Sequence, residues 1–166
     1  MRSDWLKTDE VSHVLAALQP ANRLACEVAL ATGLRISDVL SMRTAQLKQR
    51  FTIKEQKTGK SRSVYLPREL LTRLEKQAGH RFVFEGRCNP KKHRTRQAVW
   101  KDIKRAAEVF PACRGKQISP HTLRKAWAVD KFKESGKIDK VQKALNHSDP
   151  MVTMIYALDD TLNVHK

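Results

Sequence analysis

A chain of 166 residues is long enough to bury one core, and with 40% hydrophobic residues, six glycines and six prolines it reads as neither a disordered tail nor a collagen-like repeat. No apolar run approaches the ~20 residues a membrane span needs, and the opening Met1-Arg2-Ser3-Asp4 is not followed by the apolar stretch of a secretion signal. Thirty-three Lys and Arg against 17 Asp and Glu leave a formal charge of +16, which favours a polyanionic partner over the other readings, an anionic membrane surface or plain solubility.

Helical signals come first. Thr8 is placed to cap a helix whose first turn holds Asp9 and Glu10, and Val11, Val14, Leu15 and Leu18 line one face at helical spacing. Pro20 follows, then a helix from about Ala21 to Thr32 that stops at Gly33, and a third starting near Ser37 that carries Val39 and Leu40. The pattern then changes. Phe51-Thr52-Ile53 and Ser63-Val64-Tyr65-Leu66 read as short strands, joined by a hairpin turn at Lys57-Thr58-Gly59-Lys60. Pro67 opens a helix with Leu70, Leu71 and Leu74 inward. Phe82-Val83-Phe84 is a short apolar segment whose state the pattern leaves open.

From Arg87 to Arg96 five basic residues stand with no acidic one. Helices follow near Thr95–Val109, Ser119–Glu134 and Ile138–Leu145, with Ser135 and Gly136 separating the last two, and a final helix after Ser148 carries Tyr156. The sum is a mainly α domain with a small antiparallel sheet, an α+β class. Cys26, Cys88 and Cys113 form no CxxC pair, which argues against a disulfide framework or a zinc knuckle and fits a reducing cytoplasm; Cys26 belongs in the core.

Four local patterns can carry chemistry. In Ala31–Asp38 (ATGLRISD), Arg35 follows the glycine stop at the mouth of the next helix, where a guanidinium suits an anion; alone, it also reads as a surface arginine beside a turn. In Ser119–Arg124 (SPHTLR), Ser119 and Pro120 suit the first positions of a helix, so His121 and Arg124 share a face near its positive end, as a phosphate site or as solvated side chains. His147 sits on a tight interhelical connection, which is also where any polar turn residue sits. Tyr156 reads first as amphipathic packing, and composition does not select it over Tyr65.

In this order and at these spacings, ATGLRISD, the turn lysine of EQKTGKSRSVYLP, PHTLR, and LNHSDPMVTMIY with nine residues from His147 to Tyr156 resemble the phage integrase family of tyrosine recombinases. The likeness runs from about Thr8 to Tyr156. It implies the recombinase catalytic-domain fold and an enzyme that cuts and rejoins DNA without metal, ATP or other cofactor. It assigns Arg35 and Arg124 to the scissile phosphate, His121 to the base, Lys57 to the acid, His147 to a non-bridging oxygen and Tyr156 to the nucleophile. Lys54 and Lys60 flank the same turn, and hairpin register leaves the choice of lysine open; Lys57 best fits the family position. Lys54, Lys60 and Arg62 of the hairpin, with Lys91, Lys92, Arg94 and Arg96, are expected on the DNA backbone.

The sequence departs from the family pattern in three places. Lys125 stands where many relatives carry histidine, Asn146 where glycine is usual, and Asp38 where glutamate is more frequent; Asp38 is expected to orient Arg35 or cap its helix. Residues 1–166 read as a single catalytic domain without the N-terminal core-binding domain of relatives. Ala157–Lys166 is expected as a tail, exchanged between subunits or frayed. The expected partners are duplex DNA and three further copies in a tetramer on it, with a monomer when free, and no membrane. The expected setting is the cytoplasm, at the nucleoid, with the chain encoded by a bacterium or phage. A type IB topoisomerase and a DNA-binding regulator with a decayed site are the competing readings; a zinc enzyme is weakest, since no His or Cys falls at ligand spacing.

Overall fold

The computed structural model describes Asp4 and residues 6–145. Helix α1 (Thr8–Ala16) starts one residue earlier than expected. Its cap position is Lys7 rather than Thr8, because the Glu10 carboxylate reaches back 2.9 Å to accept the Lys7 N–H. Helix α2 (Pro20–Thr32) takes Pro20, not Ala21, as its first residue, where the fixed φ fits and the missing N–H costs nothing. It ends at Gly33, whose φ of 67° is left-handed and whose N–H bonds Ala29 O at 2.8 Å.

Short helix α3 (Ile36–Leu40) begins at Ile36, which makes Arg35 its cap residue. Strands β1 (Arg50–Lys54) and β2 (Ser61–Tyr65) pair antiparallel, with Arg50 opposite Tyr65 and Lys54 opposite Ser61. Leu66 falls just outside the strand, although its N–H still bonds Gln49 O at 2.8 Å. Helix α4 (Arg68–Gln77) has Pro67 as its cap residue and buries Leu70 and Leu74. Phe82, Val83 and Phe84 are buried as a turn, where Phe82 makes an isolated bridge with Arg43.

Helix α5 (Arg96–Val109) is capped by the Thr95 hydroxyl, which accepts the Ala98 N–H at 3.2 Å. Helix α6 (Pro120–Ser135) opens as expected, with Ser119 Oγ accepting the His121 N–H at 3.2 Å, and stops at left-handed Gly136 before α7 (Ile138–Leu145).

The main core joins α1 through α5, the hairpin, and Ile118 and Leu123 at the start of α6. Leu34, wholly buried beside Arg35, is one of its anchors; truncation to alanine there costs about 2–5 kcal/mol. A second, small cluster of Trp127, Ala128, Val141 and Leu145 ties α7 to α6. One buried polar knot links α5 to the start of α2: Asp102 accepts from Gln19 N at 2.8 Å, Asn22 Nδ2 at 2.7 Å and Arg105 Nη2 at 2.7 Å. Among the described residues no helix is long and apolar enough to cross a membrane. The expected last helix with Tyr156, the turn with Asn146 and His147, and the tail Ala157–Lys166 lie outside the described residues.

Candidate active site

Gly33 sets the site. Its carbonyl, left exposed by the end of α2, accepts Arg124 Nη1 at 2.6 Å and Arg62 Nη1 at 3.5 Å. Only glycine fits there, since a Cβ would lie 2.6 Å from the Trp127 ring and the backbone is left-handed. Two residues on, Arg35 leaves the chain at the head of α3. Three guanidiniums, one each from the α3 cap, β2 and α6, therefore converge around the stop signal of α2.

Arg124 is 3% exposed. Its second prong, Nη2, donates to Leu145 O at 2.6 Å, so its fork spans the ends of α2 and α7. A guanidinium carries five N–H donors, so further donors remain for an anion. Burial, and then repulsion from Arg35, lowers its pKa to about 10, so it stays charged at neutral pH and gains from any anion that binds beside it.

Arg62, one of the hairpin cations expected on the DNA backbone, is half-buried. It donates to Thr32 O and packs over the Trp127 ring at 5.6 Å. Burial lowers its pKa, with Glu55 opposing.

Glu55, which opens EQKTGKSRSVYLP but has no role assigned by it, is fully buried at the start of the hairpin turn. Its Oε2 accepts Arg35 Nη1 at 2.6 Å and Thr58 Oγ1 at 2.9 Å, and its Oε1 lies 3.9 Å from Arg62 Nη1. Burial pushes this carboxyl up, but the Arg35 and Thr58 hydrogen bonds outweigh it and hold it below the ordinary value. Removing one partner of such a pair strands a buried charge, a loss of about 3–5 kcal/mol. Asp38 neither bonds Arg35 nor caps α3, which corrects the expectation for it. Its Oδ1 accepts the Gln56 N–H at 3.0 Å and so pins the turn to α3, while burial raises its pKa.

Arg35, Lys57, His121 and Arg124 all line one cleft of about 1210 Å³. Lys57 and His121 are exposed on its walls, and Arg96 and Trp100 extend it along α5. Lys54 and Lys60 are exposed on either side of the turn, and Lys91 and Lys92 are exposed on the loop before α5. Arg94 is half-buried and donates to Asn22 Oδ1 at 3.1 Å, which ties that loop to the Asp102 knot. Lys125, beside Arg124, is buried. His147 and Tyr156 lie outside the described residues. Among the described residues no three His, Cys, Asp or Glu side chains cluster as metal ligands.

Cationic side chains from the α3 cap, the hairpin turn and α6 share one cleft with a helix-start histidine on a mainly helical scaffold. Residues 4–162 match the phage integrase family, and the chain belongs to that family. It is 32% identical over 164 residues to a tyrosine recombinase of Thermosipho africanus, covering 92% of this chain and 56% of that protein. It is 32% identical over 152 residues to tyrosine recombinase XerD of Lacticaseibacillus casei, covering 81% of this chain and 49% of that protein. The chain thus spans about half the length of the curated relatives it matches. Its fold is similar to the catalytic domain of bacteriophage HP1 integrase (TM-score 0.68, 24% identity, 94% of this chain and 88% of that one). It is also similar to a lambda integrase bound to a COC′ core site (TM-score 0.75, 19% identity, 95% and 60%).

Proposed function

We propose that this chain is the catalytic domain of a site-specific DNA recombinase, which cleaves and rejoins duplex DNA by transesterification through a 3′-phosphotyrosine at Tyr156. The observation that carries the reading is that Arg35, Lys57, His121 and Arg124, scattered along the sequence, line one cleft.

A phosphodiester repels nucleophiles, and its transition state gathers further negative charge on the non-bridging oxygens. Arg35 and Arg124 offset that charge as fixed, forked cations, so the scheme calls for no metal. A tyrosine hydroxyl with an ordinary pKa near ~10 needs a base, a role that falls to His121. The phenolic oxygen attacks phosphorus, the bond to the 5′ oxygen breaks, and Lys57 delivers the proton that the departing 5′ oxygen takes. His147 holds a non-bridging oxygen. The phosphotyrosine keeps the ester bond, so a 5′-hydroxyl from another strand re-forms the diester by the reverse steps without ATP.

Duplex DNA fits the formal charge of +16 and the exposed Lys54, Lys60, Lys91, Lys92 and Arg96. Similar folds, a XerH site-specific recombinase bound to a difH substrate and a lambda integrase bound to a COC′ core site, support the same partner. Exchange between two duplexes needs a subunit at each of four strands, hence a tetramer on DNA.

The test is incubation with a nicked duplex that traps the covalent intermediate, followed by peptide mass mapping. The expected adduct survives denaturation and maps to Tyr156. Tyr156→Phe binds DNA and yields none. An adduct that persists in that variant, or maps to another residue, refutes the reading.

A further inference from the structure

We infer that Glu55 is a positioning residue, which fixes the aim of the Arg35 guanidinium and couples it to the turn that carries Lys57. The inference rests on the proposed DNA-cleaving function.

Glu55 belongs to both parts at once. Its backbone closes the turn from each side: its N–H donates to Lys60 O at 3.0 Å, and its carbonyl accepts the Gly59 N–H at 2.8 Å. Its side chain leaves the turn for the floor of the site, where Oε2 takes Arg35 Nη1 and Thr58 Oγ1 together. Lys57 lies two residues along the same turn. A shift of the turn therefore moves the carboxylate that holds Arg35, and a rotation of Arg35 pulls on the turn.

Two features call for a carboxylate here rather than an amide. Arg35, Arg62 and Arg124 repel one another at short range in a poorly solvated pocket, and a fixed negative charge among them offsets that repulsion. The carboxylate also engages one edge of Arg35 and so dulls its pull on a resting phosphate while keeping its direction. That arrangement sacrifices ground-state affinity and preserves the alignment that matters when charge develops.

The expected signature is therefore a split between binding and chemistry, which a residue serving only to hold the fold would not produce. The experiment measures duplex affinity by titration at fixed salt, single-turnover adduct formation on the nicked duplex, and thermal melting, for wild type, Glu55→Gln and Thr58→Ala. For Glu55→Gln the expected Kd is unchanged within about threefold, or tighter, while adduct formation slows about tenfold to hundredfold, the scale of a misplaced reacting group. Thr58→Ala leaves every charge in place and removes the 2.9 Å hydrogen bond that steers the same carboxylate, together with the 3.3 Å bond that the Thr58 hydroxyl accepts from the Lys60 N–H within the turn. It is expected to slow adduct formation severalfold at unchanged affinity, and it decides alone if Glu55→Gln does not fold. Wild-type rates in the folded variants, or losses of rate matched by equal losses of affinity, overturn the inference and leave the recombinase reading intact. A wild-type chain that forms no adduct overturns both.

Discussion

Replacing Gly33 with alanine strikes two separate demands of the structure. At φ +67° an alanine occupies the left-handed region, at a cost of about 1–2 kcal/mol. Its Cβ also meets the Trp127 ring at 2.6 Å, and Trp127 is buried in the small α6–α7 cluster with little room to retreat, so overpacking adds about 1–3 kcal/mol. Together these give about 2–5 kcal/mol, which for a chain of 166 residues lowers Tm by roughly 4–20 °C. Thermal melting followed by circular dichroism reads the total, and two companions separate the parts. Gly33→Asn relaxes the backbone cost but not the clash, and falls between wild type and Gly33→Ala. In a Trp127→Leu background the ring is gone, and the alanine costs only its backbone share, about 1–2 kcal/mol. At a temperature where Gly33→Ala is folded its cleavage also drops, because the carbonyl that holds Arg124 Nη1 has moved. A Gly33→Ala chain melting within about 2 °C of wild type, or an alanine cost that is the same with and without the tryptophan, refutes the reasoning.

Arg124→Lys keeps the charge but cannot bridge the Gly33 and Leu145 carbonyls, and adduct formation is expected to fall about 10²–10³-fold; a rate within tenfold of wild type removes the fork from the mechanism. Glu at both Lys91 and Lys92 should weaken DNA binding and flatten its log–log salt slope by about 0.9 for each phosphate no longer neutralised, and an unchanged slope takes that loop off the DNA. Asp102→Asn sets an amide among donors from Gln19, Asn22 and Arg105, at a cost of about 1.5–3 kcal/mol at neutral pH. The folded-state pKa of Asp102 lies below the ordinary 3.8, so this stability is present above that value and is lost as pH falls through the lowered one. The gap between variant and wild type in denaturant melts should close in acid; a pH-independent gap contradicts the assignment.

Boundaries written into single residues are readable from sequence. Gly33, the Ser119-Pro120 pair and Gly136 each impose a backbone preference that needs no distant partner, and the helices begin or end there. A shared site for Arg35, Lys57, His121 and Arg124 is what the family resemblance implies, and one cleft is lined by all four. The inward placement of Glu55 and Arg62 is not carried by the EQKTGKSRSVYLP motif that contains them, although a signal exists. Side chains alternate along a strand, so Glu55 shares the inner face of Phe51 and Ile53, and Arg62 that of Val64 and Leu66. What alternation cannot supply is the partner that makes a buried charge tolerable, and Arg35 lies 20 residues away. Phe82-Val83-Phe84 is ambiguous because three consecutive apolar residues carry no period; packing, not pattern, makes that segment a buried turn.

Among the described residues, the two carbonyls that seat Arg124 belong to differently packed elements. Gly33 hangs from the end of α2, which is embedded in the main core; Leu145 ends α7, held by a cluster of a few side chains. Peeling α7 away would unload one prong of the guanidinium while the other stays moored. The arginine thus straddles two separately packed parts of the domain, so that a substitution in either cluster reaches the same guanidinium.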